Sequence, residues 1–335
     1  MGALGKKFWK TFGISVVSSL LVFCLVVFCL VVMVPTDEPR GDVQSLSFDE
    51  LTAAENLPEV EYYSARDDAE LPYRHYPSSA DIAIVLLHGS AYHSSYLAPL
   101  ASYLARNGVA EVYTPDLRGH GPHAENRGDV AHVGQLEDDI ADFADFLRRT
   151  TDPSALLLGG HSSGGGTAIR FAGNDGTKPR FDGYVLLAPY IHHTAATYRD
   201  SEWTNVNVAR MAGLGMLNSV GITAFNHERV ISFNMPESYR DGTETLGYSY
   251  RLQRSMHPRD DYHSDISGLP AETLVVVGEQ DETFTAEAYE PLFARHSEAT
   301  VRTVGGVSHF GVVREPSAQQ VVAEWVTSVA GSPRP

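Results

Sequence analysis

The chain has 335 residues, of which 43% are hydrophobic and 20% charged, so it can bury a core and is not disordered overall. Asp and Glu outnumber Lys and Arg 42 to 25, for a formal charge of −17. That excess argues against a nucleic-acid partner, because affinity for phosphate backbones comes from clustered cations. Two cysteines exclude a disulfide-rich framework and, without further ligands, a typical structural zinc site.

Residues 11–34, Thr11 to Val34, carry no charged side chain, and both cysteines, Cys24 and Cys29, lie among them. As a helix this run reaches about 36 Å at 1.5 Å per residue, against a hydrocarbon core of roughly 30 Å. Lys6, Lys7 and Lys10 precede it, while Asp37, Glu38 and Asp42 follow with only Arg40 opposing. The positive-inside rule therefore places residues 1–10 as a cytoplasmic tip and the long remainder across the membrane, in the periplasm or on the cell exterior if the source is bacterial. A cleaved signal peptide fits less well. Its apolar region is roughly 7–15 residues and ends at small residues, whereas this run is longer and ends Val-Met-Val-Pro.

Residues 35–58 mix Pro, Asp, Glu and Ser and read as a tether with little packed structure. Residues 59–332 then alternate strand and helix. Val60–Ser64 and Leu71–Tyr76 flank a polar turn and predict a hairpin. Ile82–Leu87, Val109–Thr114, Ala155–Leu158, Tyr184–Ala188 and Leu274–Val277 are apolar runs of the kind covered on both faces, with Thr300–Val304 a weaker one. Between them, residues 134–149 place Leu136, Ile140, Phe143 and Leu147 on one helix face, and 316–329 repeat that pattern. Glu137, Asp138 and Asp139 lie where the helix dipole favours acids, which predicts a solvated helix start rather than a site. The alternation predicts an α/β fold with a mostly parallel sheet and helices on both faces.

The chemistry gathers at strand ends. Gly160-His161-Ser162-Ser163-Gly164 follows the strand at Ala155–Leu158 and precedes a helix-compatible stretch. This is the setting of a G-x-S-x-G nucleophile elbow, in which glycines let the chain turn tightly and the serine hydroxyl projects above the sheet. A serine needs a base oriented by an acid, and this elbow is followed in chain order by the acid and then the histidine. Asp281 lies just past the strand Leu274–Val277, with Glu279 and Glu282 as alternatives. His309 lies in a Gly-rich loop after Thr300–Val304 and is the only histidine after His296. The expected catalytic set is therefore Ser162, Asp281 and His309. For the developing oxyanion the expected backbone donors are the N–H groups of Ser163 and of Ser90, with Ala91 next.

These residues, with Leu87-His88-Gly89 and Asp116-Leu117-Arg118-Gly119-His120-Gly121, resemble the α/β-hydrolase family over about residues 60–330. The chain is most similar to the monoacylglycerol lipase, lysophospholipase and serine aminopeptidase-like group. That resemblance implies hydrolysis of an ester, thioester or amide through an acyl-enzyme, with no cofactor. Relatives with an Asp nucleophile are disfavoured because Ser162 holds that position. Residues 190–273 exceed an ordinary connection and form an inserted cap. This cap holds Met211, Met216, Met235 and Met256 together with nine aromatics, including Trp203, Phe225 and Phe233. Such side chains suit either an apolar acyl pocket or the cap's own core.

His192, His193 and Trp203 are the expected substrate contacts, and the expected partner is a small-molecule or lipid substrate. His120, His123 and His132 lack the spacing of a metal site. Two further readings remain: an acyltransferase with the same triad, and a non-catalytic protein that kept the fold.

Overall fold

The computed structural model describes residues 3–42, 46–51, 56–174, 176 and 181–330. Residues 1–2 of the expected cytoplasmic tip, 43–45 and 52–55 of the expected tether, and 331–332 at the domain's expected end lie outside them.

Helix α1 (Ala3–Phe28) continues into a π-helical turn at Cys29–Met33. Together they form a stretch, Phe8–Met33, that is long and apolar enough to cross a membrane and is mostly exposed. Strands β1 (Val60–Ser64) and β2 (Glu70–Tyr76) make the expected antiparallel hairpin. They lead into β3 (Ile82–Leu87), α2 (Ala98–Arg106), β4 (Glu111–Pro115), α3 (Gln135–Thr150), β5 (Ala155–His161), α4 (Ser163–Ala172) and β6 (Gly183–Leu187).

The cap follows as β7 (Thr204–Val206), α5 (Val208–Ser219), β8 (Arg229–Phe233), β9 (Gly247–Ser249), α6 (Tyr250–Ser255) and α7 (Tyr262–Ser267). Its three strands form a small antiparallel sheet. Strand β10 (Thr273–Gly278), α8 (Tyr289–His296), β11 (Thr300–Val304), α9 (Gly311–Arg314) and α10 (Pro316–Ala330) follow the cap.

The main sheet runs β1-β2-β4-β3-β5-β6-β10-β11, parallel from β4 onward. Every residue of β3, β5, β6 and β10 is buried, because helices cover both faces. One helix group, α2 with α9 and α10, packs apart from the other, which joins α3, α4, α7 and α8. The carboxyl ends of the parallel strands therefore share one edge, where β3, β5, β10 and β11 release the loops that carry the site.

Two sequence expectations change here. The start of α3 is not solvated: Glu137 is 3% and Asp139 5% exposed. Glu137 accepts from Arg170 of α4 at 2.6 Å and from Arg259 at 2.7 Å, and Asp139 pairs with Arg118 at 2.7 Å. The acids thus tie α3 to α4 and to the base of the cap. Substituting Glu137 with Ala strands a buried Arg170, and we expect it to lower the unfolding free energy by about 3–5 kcal/mol, read from the urea midpoint of the detergent-solubilised chain.

The second change concerns the tether. Its residues Thr36, Asp37 and Glu38 are fastened to the cap rather than free. Thr36 Oγ1 donates to the Arg229 carbonyl at 2.8 Å, Ser232 Oγ donates to the Asp37 carbonyl at 2.8 Å, and Glu38 pairs with Arg229. The end of the apolar helix is fastened in the same way. Arg210 donates to the carbonyls of Val31 (2.8 Å) and Val34 (3.2 Å), and Asn207 to that of Val34 at 3.0 Å. Cap side chains thereby satisfy carbonyls that a helix end leaves without partners.

Candidate active site

The turn from β5 into α4 forces Ser162 into a backbone conformation with φ 54 and ψ −121. Few non-glycine residues adopt a positive φ, and surrounding structure must hold it there. The glycines on either side explain how. A methyl group on Gly160 would run into the backbone of Gly164 and Gly165, and one on Gly164 into the carbonyls of Leu87 and His88. Only hydrogen at these two positions lets α4 pack so close to β5 and β3. The serine is left partly exposed, in the wall of a cavity.

The loop after β10 brings Asp281 to the ring of His309, whose Nδ1 lies 2.9 Å from Asp281 Oδ2. The other carboxylate oxygen, Oδ1, accepts the backbone N–H groups of Thr283 and Phe284, both at 2.8 Å. Burial pushes the Asp281 carboxyl up, but the His309 ring and those two N–H groups outweigh it and hold the carboxyl below its usual range. Burial likewise pulls the His309 ring down, yet the charge and hydrogen bond of Asp281, with Glu282 and Glu50 nearby, leave it raised. Of the alternative acids, Glu282 accepts the backbone N–H of His309 at 3.0 Å and Glu279 accepts that of Gly306 at 3.2 Å. Neither is bonded to the His309 ring.

Of the Gly89, Ser90 and Ala91 amides in the loop after β3, two are already engaged. Gly89 N–H donates to Tyr96 Oη at 2.7 Å, and Ala91 N–H donates to Tyr248 Oη at 2.7 Å. The Ser90 N–H has no protein acceptor among the described residues. Ser90 also lies against Ser163, with their hydroxyls 2.6 Å apart.

Sequence reasoning missed what holds these groups in place. The Gly89 amide can only donate and the His309 carbonyl can only accept, which sets the direction of the chain between them. Tyr96 donates its hydroxyl proton to His161 Nδ1 at 2.9 Å, and His161 Nε2–H donates to the His309 carbonyl at 3.0 Å. Burial lowers His161 to about 3, so it stays neutral in this role. A second chain runs from Ala91 through Tyr248 Oη to His120 Nε2 at 2.6 Å. His88 joins the loops after β3 and β4 by accepting Leu117 N–H at 3.0 Å. The sequence places His161 inside the elbow motif, but its partners are tertiary.

The cavity holds about 1030 Å³ of empty space counting the open solvent at its mouth, and Ser162, His309, Ser90 and Ser163 all line it. Trp203, His193, Phe233, Met235 and Met256 line it as well. His192 does not. It is held by Thr194 at 2.8 Å and stacks on Tyr262, with its ring centroid 4.1 Å from that of His193. Met211 and Met216 pack against the core outside the cavity, and Phe225 is exposed. His120, His123 and His132 go to separate partners: Tyr248, Tyr62 and Asp138.

Residues 78–310 match the family model described as serine aminopeptidase, S33. No curated protein matches the chain. Among solved structures it is similar to a soluble variant of the monoglyceride lipase of Saccharomyces cerevisiae in complex with a substrate analog. That likeness has a TM-score of 0.62 and 18% identity, covering 83% of this chain and 97% of that one. It is also similar to the monoacylglycerol lipase of Paleococcus ferrophilus, with a TM-score of 0.57 and 21% identity over 78% and 99% of the two chains. A thermophilic esterase from Thermogutta terrifontis gives 0.53 and 21% over 81% and 99%. These likenesses show the fold, and the family match covers well over half of the chain. The chain belongs to the serine aminopeptidase, S33, family of α/β hydrolases.

Proposed function

We propose that this protein is a membrane-anchored serine hydrolase that cleaves carboxylic esters carrying an apolar chain, of the monoacylglycerol or lysophospholipid kind. The observation that carries the reading is the strained Ser162 elbow sharing one cavity with a His309 ring already bonded to Asp281 at 2.9 Å.

In this reading Ser162 Oγ attacks the ester carbonyl while His309 Nε2 takes its proton, and the imidazolium then donates that proton to the leaving alkoxide. Water repeats the cycle on the acyl-enzyme and regenerates the serine. Asp281 holds the proton of His309 on Nδ1, so that Nε2 faces the serine as acceptor. The N–H groups of Ser90 and Ser163 stabilise the oxyanion, and the Tyr96–His161 and Tyr248–His120 chains keep their loops from shifting as charge develops. The raised His309 sets the acid side of the pH profile. Below its pKa the ring is protonated and cannot accept a proton, so kcat/KM is expected to fall to half at a pH above the ordinary imidazole value of about 6.5.

The lining supports an ester over an aminoacyl amide. An N-terminal ammonium calls for a buried carboxylate, and among the described residues lining the cavity there is none, whereas Arg199 is present. The apolar wall of Trp203, Ile231, Phe233 and Met235 suits an acyl chain. The apolar run of residues 11–34 acts as the anchor in this reading, with the catalytic domain across the membrane from the lysines that precede the run.

Full-length protein in detergent should hydrolyse short esters, monoacylglycerols or lysophospholipids in preference to aminoacyl amides. Preference for the amides would reject the ester reading, and acyl transfer to an added alcohol in place of hydrolysis would favour the transferase. Resistance of the membrane-bound protein to carbonate extraction is the corresponding check on the anchor.

A further inference from the structure

One wall of the cavity comes from neither the family-matched core nor the cap. Residues 46–51 lie upstream of the family match, yet Leu46, Phe48 and Leu51 all line the cavity. The segment is short and polar apart from these three, and it folds into a single 3₁₀ turn at Phe48–Leu51. Phe48 is 1% exposed. Its ring centroid lies 5.4 Å from Trp203 and 5.6 Å from Tyr239 of the cap, and 6.4 Å from Phe310, the neighbour of His309. It therefore stands where cap, core and catalytic base converge.

The polar residues of the same segment fasten it to the loop carrying the base. Glu282 accepts Ser47 N–H with one carboxylate oxygen at 2.8 Å and His309 N–H with the other at 3.0 Å. Glu50 accepts from Ser308 Oγ at 2.6 Å, and its carbonyl accepts from Arg314 at 3.0 Å. A segment held at both its polar and apolar sides presents a fixed wall to whatever occupies the cavity.

We propose that residues 46–51 are a specificity-determining strap, with Phe48 closing the apolar pocket and limiting the length of chain it accepts. This rests on the hydrolase reading above. Apolar burial by Phe48 alone would change turnover of every substrate by a similar factor. A wall changes the ratio between long and short chains.

The test is kcat/KM of the full-length protein in detergent on p-nitrophenyl esters from acetyl to palmitoyl, with fluorophosphonate labelling to count competent sites. Phe48→Ala is expected to raise the long-to-short ratio by about fourfold for each methylene the opened wall newly admits. Phe48→Trp is expected to lower the ratio, and Phe48→Leu serves in place of the alanine variant if that one fails to fold. Ratios equal to wild type, or an equal change on all chain lengths, would overturn the strap. Wild-type protein that turns over no ester and takes no label on Ser162 would instead overturn the hydrolase reading on which the strap depends.

Discussion

Replacing Ser162 with alanine is expected to lower ester kcat by about 10⁶-fold and to abolish fluorophosphonate labelling. The size follows from the role: without Oγ no acyl-enzyme forms, and only positioning and the oxyanion donors remain to assist water. The substitution removes a single oxygen in the cavity wall, where the Ser162 hydroxyl makes no hydrogen bond to the described residues. The His309–Asp281 pair does not depend on that oxygen. Unfolding of the variant should therefore track wild type while turnover disappears. Equal loss of stability and activity would point to a structural serine.

Asp281→Asn should cost about 10⁴-fold in kcat, and the reason is geometric. Oδ1 is pinned as an acceptor by two N–H donors, from Thr283 and Phe284. An asparagine must place its oxygen there, which turns its NH₂ toward His309 Nδ1. The ring proton is then forced onto Nε2, the nitrogen that has to accept from Ser162. The loss of charge should also move the acid limb of kcat/KM to lower pH, because Asp281 is the foremost charge raising His309. Turnover by the variant close to wild type, or an unmoved acid limb, would argue that another group orients the base.

Much of the scaffold was legible because buried parallel strands write themselves as continuous apolar runs. Val60–Ser64, Ile82–Leu87 and Thr300–Val304 are read from sequence with the bounds the structure gives them; the other expected strands differ by one or two residues at their ends, except β5, which runs three residues further, into the elbow. The hidden parts were those with short or distant partners. Strands β7 and β9 have three residues each, too few for a period to show. The acids at the start of α3 already had a local explanation in the helix dipole, while Arg170 and Arg259, which bury Glu137, lie 33 and 122 positions away. The tether reads as polar chain because its interactions, hydrogen bonds to the cap, polar ties to the loop of His309 and three apolar side chains in the cavity, all depend on residues far along the sequence.

At the site, the motif and the order of strand ends singled out Ser162, Asp281 and His309; the structure bonds Asp281 to His309 and places Ser162 and His309 in the wall of one cavity. The neighbours that hold them were not legible. His161 lies within the elbow motif, but its role depends on Tyr96 and on the carbonyl of His309. Ser90 stands ahead of Ala91 in the sequence reading, but the physical reason is tertiary: Tyr248 of the cap occupies the Ala91 amide. Of His192 and His193, whose ring centroids lie 4.1 Å apart, only His193 lines the cavity, while Thr194 and Tyr262 hold His192.

The most direct test of the catalytic reading is stoichiometric: titrate the full-length protein with a fluorophosphonate, map the adduct by mass spectrometry, and follow ester turnover on the same samples. The account predicts one adduct per chain, on Ser162, with turnover falling in proportion to its occupancy and no adduct in Ser162→Ala. Turnover that survives complete modification of Ser162, or an adduct that forms elsewhere and silences the enzyme, would contradict it.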